Sequence, residues 1–323
     1  KFYRPILKGK DIERFWTPKK DQFIIFPYDN KEYTPADLEQ HPNLRAYLEE
    51  HRESLANRYD IKNSSNLKWY ELRECDYYDI FEDRKIILPD IAQYNRFCID
   101  EGRFCLNTAM VIKPEKERFT LEELVGILNS KVVEFFMKNR STFVRNKYFR
   151  YIPQYLKDIP LPNRSDATIG KKVEKIIEIK KEKYRPLKSY IRGEKILHSL
   201  NLQSSHSSIS PQVQKRHDGS YNVVIGKRKK EEPIIVDTKE KAKFVKLALE
   251  GKSFKKGEKI EILVPKSNKI VKEILEEYEK DKKELEEMPT VEELEEEINQ
   301  IVYDLYDLDE EDIKVIENFL EKF

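Results

Sequence analysis

Residues 120–136 read TLEELVGILNSKVVEFF. Leucine, valine, isoleucine and phenylalanine recur in this stretch at the three- and four-residue spacing that places side chains on one face of a helix. Thr120 and Glu123 stand in the order of a capping box, in which each side chain accepts a hydrogen bond from the other residue's main-chain N–H. The sequence therefore predicts a helix that begins at Thr120 and packs its apolar face, as far as Phe136, against a core.

Short apolar runs precede this helix and predict strands. They are rich in isoleucine and phenylalanine and are bounded by proline, aspartate and asparagine, which favour turns. Strands and helices that alternate in this way predict an α/β (α+β) class, with a mixed-sheet domain over residues 1–164. The four runs lie at 23–26, 85–88, 97–99 and 109–112.

Two long charged helices are predicted in the second half of the chain, at 169–191 and 268–288. Between them the sequence predicts a small module with a helix from Thr238 to Leu249 and three short strands. Charged helices that flank such a module can pair antiparallel. We therefore expect a second domain over 165–323, a helical spacer hairpin with a small β-containing insertion at about 199–267. The three strands are predicted at 221–225, 234–236 and 260–264.

Charge is distributed unevenly along the chain. Residues 1–271 hold 55 basic and 39 acidic side chains, a net charge of +16, whereas residues 272–323 hold 6 and 21, a net charge of −15. A basic body of this kind favours a polyanionic partner such as nucleic acid. The acidic tail by itself is typical of solvated helices. It also leaves open a helical protein-interaction module that docks its partners through this tail.

Several classes of protein are disfavoured by what the sequence lacks. No apolar run approaches the length of about 18 residues that a membrane-spanning helix needs, and the first residues lack the apolar core of a signal peptide. The three cysteines show neither disulfide nor zinc spacing, which favours a reducing, cytoplasmic compartment. The chain begins with Lys1 and not with Met, and we expect it to be the C-terminal fragment of a longer protein.

No catalytic motif is recognisable, and we expect neither a catalytic centre nor a cofactor in this chain. Its 9 glycines form no dinucleotide-binding or phosphate-binding loop, and its five histidines do not lie at metal-ligand spacing. An adenine methyltransferase needs a glycine turn for its cofactor and an Asn/Asp-Pro-Pro-Tyr-type clamp for the target base, and the sequence contains no Pro-Pro pair. This chain alone is therefore not expected to transfer methyl groups.

One alternative enzyme class stays open, the metal-dependent nucleases. Such enzymes hold Mg²⁺ with an aspartate and an acid-x-Lys motif at the end of a strand. Asp218, followed by Asp237 and Lys239, has that order. Acid-x-Lys is common in a chain of which 37% is charged, however, and Asp237 is well placed as the N-cap of the helix that follows. The cap is the favoured interpretation.

Residues 138–151, directly after the helix at 120–136, carry the main binding signal. This segment holds five cations, four aromatic residues and no acid. Cations neutralise phosphates, and arginine and asparagine can bond to the edges of guanine and adenine. A cationic helix end followed by a core strand would explain Lys138 and Phe149 but not the other cations. We predict DNA contacts from Arg140, Arg145, Asn146, Lys147, Tyr148 and Arg150, and from a second group, Lys8, Lys10, Arg73, Arg96 and Asn107.

A series of motifs connects this segment to the rest of the chain. They are RPILKGKDI (4–12), WYEL (69–72), KIILPDI (85–91), LNT (106–108), GILNSK (126–131), RNKYFRY (145–151), YLKDIPLP (155–162) and INQIVYDLY (298–306). In this order they resemble the TaqI-like C-terminal specificity domain, the target recognition domain of adenine-specific DNA methyltransferases and of fused type II restriction-modification enzymes. The resemblance covers residues 1–164 and about 290–320. The module at about 195–268 matches no part of the family pattern.

The resemblance implies a module that recognises a short sequence of double-stranded DNA and positions the target adenine for a separate catalytic domain. The partners that it implies are the DNA and an N-terminal methyltransferase domain of the same protein, with or without a nuclease. S-adenosylmethionine is implied as the cofactor of that catalytic domain. No catalytic residue carries over to this chain.

Overall fold

A computed structural model describes residues 2–18, 22–29, 32–73, 75, 77–114, 118–145, 147–226 and 231–323. No helix in these ranges is both long and apolar enough to cross a bilayer. All three cysteines are free thiols. Packing divides the chain into two compact units, of which the first contains Lys1–Glu178 and Thr290–Phe323 and the second contains Ile179–Pro289. The expected boundaries at 164 and at 199–267 stay predictions, and this packing groups the last helices with the N-terminal unit.

Small sheets, one of them mixed, form the β-structure of the first unit. The mixed sheet has β1 in its centre, antiparallel to β2 and parallel to β8. A second sheet is antiparallel and has β5 between β7 and β9, and the pairs β3–β4 and β6–β10 form short ribbons. The predicted strands are present, and the predicted α/β class is confirmed. The strands are β1 (Tyr3–Leu7), β2 (Phe23–Ile25), β3 (Tyr28–Asp29), β4 (Thr34–Pro35), β5 (Arg84–Pro89), β6 (Ile91–Ala92), β7 (Cys98–Glu101), β8 (Phe104–Cys105), β9 (Ala109–Ile112) and β10 (Phe149–Arg150).

Helices cover these sheets, and the capping box at the start of the predicted helix is confirmed. Glu123 N donates to Thr120 Oγ1 at 3.1 Å, and Thr120 N donates to a carboxylate oxygen of Glu123 at 2.8 Å. The helices are α1 (Pro42–Glu49), α2 (Arg52–Ala56), α3 (Tyr59–Lys62), α4 (Tyr78–Glu82), α5 (Leu121–Leu128), α6 (Lys131–Arg140), α7 (Pro153–Leu156) and α8 (Ala167–Tyr184), the last of which crosses into the second unit.

The prediction of one continuous helix over 120–136 is wrong, because the chain forms two helices there. The side chain of Asn129 accepts from the N–H of Phe97 at 3.0 Å and donates to its carbonyl at 2.8 Å. Ser130 then caps α6, since its hydroxyl accepts a hydrogen bond from the N–H of Val133. The break fixes the end of α5 to the segment that leads into β7.

The acidic C-terminal helices, α11 (Val291–Leu305) and α12 (Glu310–Leu320), pack on α6 and α5. The ammonium group of Lys131 lies 2.8 Å from Glu296 and 2.7 Å from Glu317. The side chain of Asn299 accepts a hydrogen bond of 2.9 Å from the main-chain N–H of Lys131. The acidic tail therefore does more than solvate the surface, because it binds the N-terminal end of α6.

An ion pair is completely buried in the first unit. Lys85 on β5 and Asp100 on β7 are both fully buried, and the Lys85 ammonium lies 2.7 Å from the Asp100 carboxylate. Arg103 also donates to this carboxylate, and the carbonyl of Phe81 accepts from Lys85 at 2.8 Å. These hydrogen bonds satisfy charges that would otherwise be costly in the core.

The second unit is an α/β module with two more strands than predicted. The antiparallel pair β11–β15 and the antiparallel sheet β12–β13–β14 pack with α9 and α10. Strand β11 begins at Lys195, so the expected start of the insertion at 199 lies inside a strand. The elements are β11 (Lys195–Asn201), β12 (Gln212–Lys215), β13 (Tyr221–Val224), β14 (Ile234–Val236), α9 (Lys239–Leu249), β15 (Lys259–Pro265) and α10 (Asn268–Glu287).

The two charged helices contact each other near their C-terminal ends. Arg185, directly after α8, lies 3.0 Å from Asp281, and Lys282 donates to the carbonyl of Glu182 at 3.0 Å. The first half of α10 lies in the core of the module. Helix α10 is therefore part of that core as well as of the expected spacer; its buried residues are Val271, Ile274 and Leu275.

Candidate nucleic-acid interface

Residues 141–150, which we call the basic hairpin, turn back on themselves directly after α6. The N–H of Arg150 donates to the carbonyl of Thr142 at 3.2 Å, and the N–H of Val144 donates to the carbonyl of Tyr148 at 2.8 Å. Phe143 and Phe149 form an isolated antiparallel bridge. The segment predicted to contact DNA is therefore a short hairpin, and its second strand, β10, pairs with β6.

Arg145, Lys147 and Tyr148 lie at the turn of the basic hairpin. Tyr148 N donates to the carbonyl of Arg145 at 2.9 Å, and Lys147 has a φ of 64°, in the left-handed region. The predicted site residue Asn146 lies outside the described residues. The Lys147 ammonium donates to the carbonyl oxygens of Phe323 at 2.9 Å and of Lys322 at 3.2 Å. Lys147 thus has an intramolecular role in holding the turn.

Some cations of the segment 138–151 form ion pairs with acidic side chains from outside it. Lys138 is buried, 2.8 Å from Glu134, and Arg140 lies 3.1 Å from Asp158. Arg145 and Arg150 are exposed, and neither has a carboxylate at ion-pair distance within the described part of the chain. These two arginines are therefore the cations of the segment that are best placed to meet an external anion.

Hydrogen bonds connect Tyr151, the residue directly after the basic hairpin, to two distant loops. Gly9 N donates to Thr108 Oγ1 at 3.0 Å, and Asp90 N donates to the carbonyl of Thr108 at 3.0 Å. The N–H of Tyr151 donates to the carbonyl of Asp90 at 2.8 Å. We call this path, which runs from Gly9 through Thr108 and Asp90 to Tyr151, the strip. Arg150 and three further predicted site residues are direct sequence neighbours of its members; the three are Lys8, Lys10 and Asn107.

Close approach at Gly9 sets the geometry of the strip. A Cβ atom at this position would lie 2.0 Å from the carbonyl oxygen of Thr108, so only glycine allows the two loops to meet. Lys10 and Asn107 are exposed on either side of this contact, and Lys8 is half-buried. The contact brings together two loops that each carry an exposed predicted site residue, Lys10 in one and Asn107 in the other.

Asp90 introduces a carboxyl group beside these cations. Burial raises the pKa of Asp90, and the Arg150 guanidinium opposes this by lowering it. The Asp90 carboxyl group is therefore close enough to Arg150 to interact with its charge, although the two form no ion pair among the described contacts. The strip presents donors from its cations and Asn107, and an acceptor from Asp90.

Arg96 lies beside the strip and carries an aromatic neighbour that the sequence reasoning missed. Its guanidinium lies 4.8 Å from the ring centroid of Tyr94, which is 42% exposed, and donates to the carbonyl of Ile12 at 3.5 Å. Asn95 between them is buried and bonds to the carbonyl of Leu128 at 2.7 Å. In the sequence, the available signal for this pair was an asparagine with an aromatic residue before it and an arginine after it.

Arg73 is placed elsewhere in the first unit. It is exposed, and its carbonyl accepts a hydrogen bond of 2.9 Å from the hydroxyl of Tyr78. Tyr78 packs in a separate aromatic cluster with Phe26 and Phe104. No contact recorded for the described residues connects Arg73 to the strip.

The residues of the alternative nuclease site lie in the second unit. The Asp218 carboxylate accepts hydrogen bonds from the N–H and the hydroxyl of Ser220, at 3.0 and 2.6 Å, and Asp237 lies 3.0 Å from the ammonium of Lys241. The prediction of Asp237 as N-cap is wrong, because the Thr238 hydroxyl accepts from the N–H of Lys241 instead. Among the residues with described positions, no group of three or more His, Cys, Asp or Glu is arranged to hold a metal ion.

Comparisons with known proteins single out the first unit. The family model of the TaqI-like C-terminal specificity domain matches residues 4–161. The type II methyltransferase M.BstVI of Geobacillus stearothermophilus is 28% identical over 172 residues, which cover 52% of this chain and 29% of that protein. M.BanIII of Aneurinibacillus aneurinilyticus is 32% identical over 172 residues, which cover 49% of this chain and 29% of that protein. M.PaeR7I of Pseudomonas aeruginosa is 26% identical over 163 residues, which cover 50% of this chain and 28% of that protein. The chain thus spans less than a third of the length of these relatives.

Proposed function

Because residues 4–161 belong to the TaqI-like C-terminal specificity domains, as their motifs predicted, we propose that this chain recognises a short duplex DNA sequence within a restriction-modification adenine methyltransferase. The observation that carries this proposal is the basic hairpin with its two exposed arginines, Arg145 and Arg150. Neither has a described carboxylate partner, and the N–H of Tyr151, the residue after Arg150, donates to the carbonyl of Asp90 in the strip.

The chemistry of these side chains suits both parts of DNA recognition. Arginine can bond bidentately to guanine, and an asparagine such as Asn107 can bond in the same way to adenine. Ammonium groups such as that of Lys10 position a protein on the phosphates without reading sequence. We assign base contacts to Arg150 and Asn107, since each directly precedes a residue whose main chain is hydrogen-bonded within the strip, and phosphate contacts to Lys10 and Arg145.

Methyl transfer belongs, in this proposal, to a part of the protein that the matched region does not include. The relatives are named type II methyltransferases, and the match covers less than a third of each. A separate catalytic domain, which uses S-adenosylmethionine in the cytoplasm, would act on the adenine that this chain positions. The chain by itself should neither methylate nor cut DNA.

Fluorescence anisotropy of the chain with a labelled duplex tests the proposal. At low salt we expect binding, and at physiological salt a non-specific dissociation constant of about 1–100 µM. The logarithm of affinity should fall linearly with that of salt concentration, with a slope near −0.9 for each phosphate contacted. An affinity that is absent at low salt, or that salt leaves unchanged, contradicts the proposal. Cutting of the duplex with added Mg²⁺ that is lost in Asp237→Ala would favour the nuclease alternative.

A further inference from the structure

Two apolar side chains are exposed on the basic hairpin, where charged residues dominate. Phe143 is 55% exposed and Val144 is 38% exposed. In the sequence they follow the polar residues Ser141 and Thr142. Burial of a phenylalanine side chain is worth about 1.5–3 kcal/mol, so its exposure forgoes stability. The exposed phenylalanine in this segment therefore indicates a binding partner that covers it.

A continuous series of aromatic contacts supports Phe143 from behind. Its ring centroid lies 5.6 Å from that of Phe149, which is 2% exposed. Phe149 lies 5.5 Å from Phe323, Phe323 lies 5.2 Å from Phe319, and Phe319 lies 5.0 Å from Phe135 on α6. We call these five rings the aromatic ladder. Phe143 is its exposed end, and it is held in place by contacts that reach the body of the unit.

Two exposed cations belong to the same hairpin as this ring. Arg145 follows it by two residues, and Arg150 lies on the paired strand, next to the Phe149 that Phe143 contacts. Both are exposed and have no ion-pair partner among the residues described. A supported, exposed apolar ring on a cationic hairpin matches the pattern of proteins that insert a side chain between base pairs while their cations bind nearby phosphates.

We propose that Phe143 is an apolar wedge that inserts at a base step of duplex DNA and unstacks it. The wedge rests on the proposed DNA-binding function and adds to it a residue that acts on the shape of the duplex. Unstacking one step costs a few kcal/mol, and a wedge that offsets this cost would help to expose a neighbouring base for chemistry. A protein partner that covered Phe143 instead would leave unexplained why two exposed arginines, neither with an ion-pair partner among the described residues, belong to the same hairpin.

The test compares the full chain on two labelled duplexes that differ at one position. One duplex is intact, and the other carries a central abasic site, which lowers the cost of unstacking. A wedge predicts tighter binding to the abasic duplex, by about tenfold, and loss of this preference in Phe143→Ala. Phe143→Leu, which keeps an apolar side chain, should retain part of the preference. Phe23→Ala is the matched control, since Phe23 is also 55% exposed but lies on β2.

The outcomes separate the wedge from the function on which it rests. If the wild-type chain binds both duplexes equally, or if Phe143→Ala keeps the preference for the abasic duplex, the wedge is overturned and DNA binding stands. If the wild-type chain binds neither duplex at low salt, both proposals fail. Melting temperatures of all variants are recorded alongside, and because Phe143 is exposed we expect Phe143→Ala to melt close to the wild type.

Discussion

The rings of Phe149 and Phe323 lie 5.5 Å apart at an interplanar angle of 70°. Phe149 is part of the basic hairpin, and Phe323 follows α12, more than half of the chain later. The Lys147 ammonium reinforces the same contact, because it donates to the carbonyl of Phe323 at 2.9 Å. The segment proposed to bind DNA is thus held against the acidic C-terminal helices.

This contact predicts that Phe323→Ala loosens the basic hairpin. The variant loses ring contacts with Phe149 and Phe319, each worth about 0.5–1.5 kcal/mol beyond buried area. Hydrogen exchange should become faster at the amides of Val144, Tyr148 and Arg150, and duplex affinity should fall. Val315→Ala is the control, because Val315 is 61% exposed on α12. Unchanged exchange in the hairpin of Phe323→Ala would mean that the ladder does not hold it.

Gly9→Ala should disturb the strip. The added Cβ would meet the carbonyl oxygen of Thr108 at 2.0 Å, and main-chain atoms cannot rotate away as a side chain can. We expect a loss of about 1–3 kcal/mol in the free energy of unfolding, as for other overpacked sites, together with weaker duplex binding. Gly170→Ala is the control, since its nearest neighbour would lie at 3.4 Å and alanine favours helix α8. Equal effects of the two changes on urea unfolding would refute the close approach at Gly9.

Lys85→Ala should destabilise the first unit strongly. It leaves the fully buried Asp100 carboxylate without its ammonium partner, a loss that typically costs about 3–5 kcal/mol. Lys113→Ala removes a comparable pair with Asp83 at 2.6 Å, but both partners are exposed, so we expect about 0–1 kcal/mol. Denaturant unfolding of both variants measures the difference. Similar losses in the two would show that the buried pair contributes no more than a surface pair.

Glu231 should make the stability of the second unit depend on pH. Burial raises its pKa, but hydrogen bonds from His206 and from the N–H groups of Gln203 and Ser204 outweigh this, and the pKa is lowered. The folded state therefore binds the proton less readily than the unfolded chain, whose glutamate pKa is about 4.3. The resulting stability is present above that value and is lost as pH falls through the lowered pKa.

Glu231→Gln tests this dependence. The variant should be less stable than the wild type at neutral pH, and the difference should shrink as the pH falls below about 4. Glu232→Gln, at an exposed neighbour, should behave like the wild type at every pH. A difference between Glu231→Gln and the wild type that stays constant with pH would exclude the carboxylate charge as its cause.

Features with local causes could be predicted from the sequence, and features with distant causes could not. The capping box at Thr120 was readable, because its partner Glu123 lies only three residues later. The break at Asn129 was not, because its side chain bonds to Phe97 in another segment. The N-cap was misassigned to Asp237 because Thr238 follows it directly and either side chain suits the role.

The candidate site also has features that the sequence shows and features that only the fold shows. The run of cations between Lys138 and Arg150 is readable from composition alone, and it predicts a DNA interface there; that these cations contact DNA stays a prediction. Which cations remain available depends on Asp158, Glu134 and the carbonyl of Phe323, which only the fold brings near. The exposed ring of Phe143 could not be distinguished from a core aromatic by spacing. Asn146 stays a prediction.

Selection of binding sites from a pool of duplexes with a randomised centre tests sequence recognition most directly. The wild-type chain should enrich a short common sequence. In Arg150→Ala, preference should relax at one position by about 1–3 kcal/mol, whereas Arg145→Ala should weaken binding to all sequences alike; the melting temperatures of both variants should stay close to that of the wild type. Arg192→Ala is the control, because Arg192 lies in the second unit, 2.8 Å from Glu277.

We predict that the control and the wild type enrich the same sequence and that Arg150→Ala loses specificity at one base pair. The contrary result is a wild-type chain that binds the pool without enriching any sequence, or an Arg150→Ala variant that selects the wild-type sequence unchanged. Either result would mean that the basic hairpin does not read DNA.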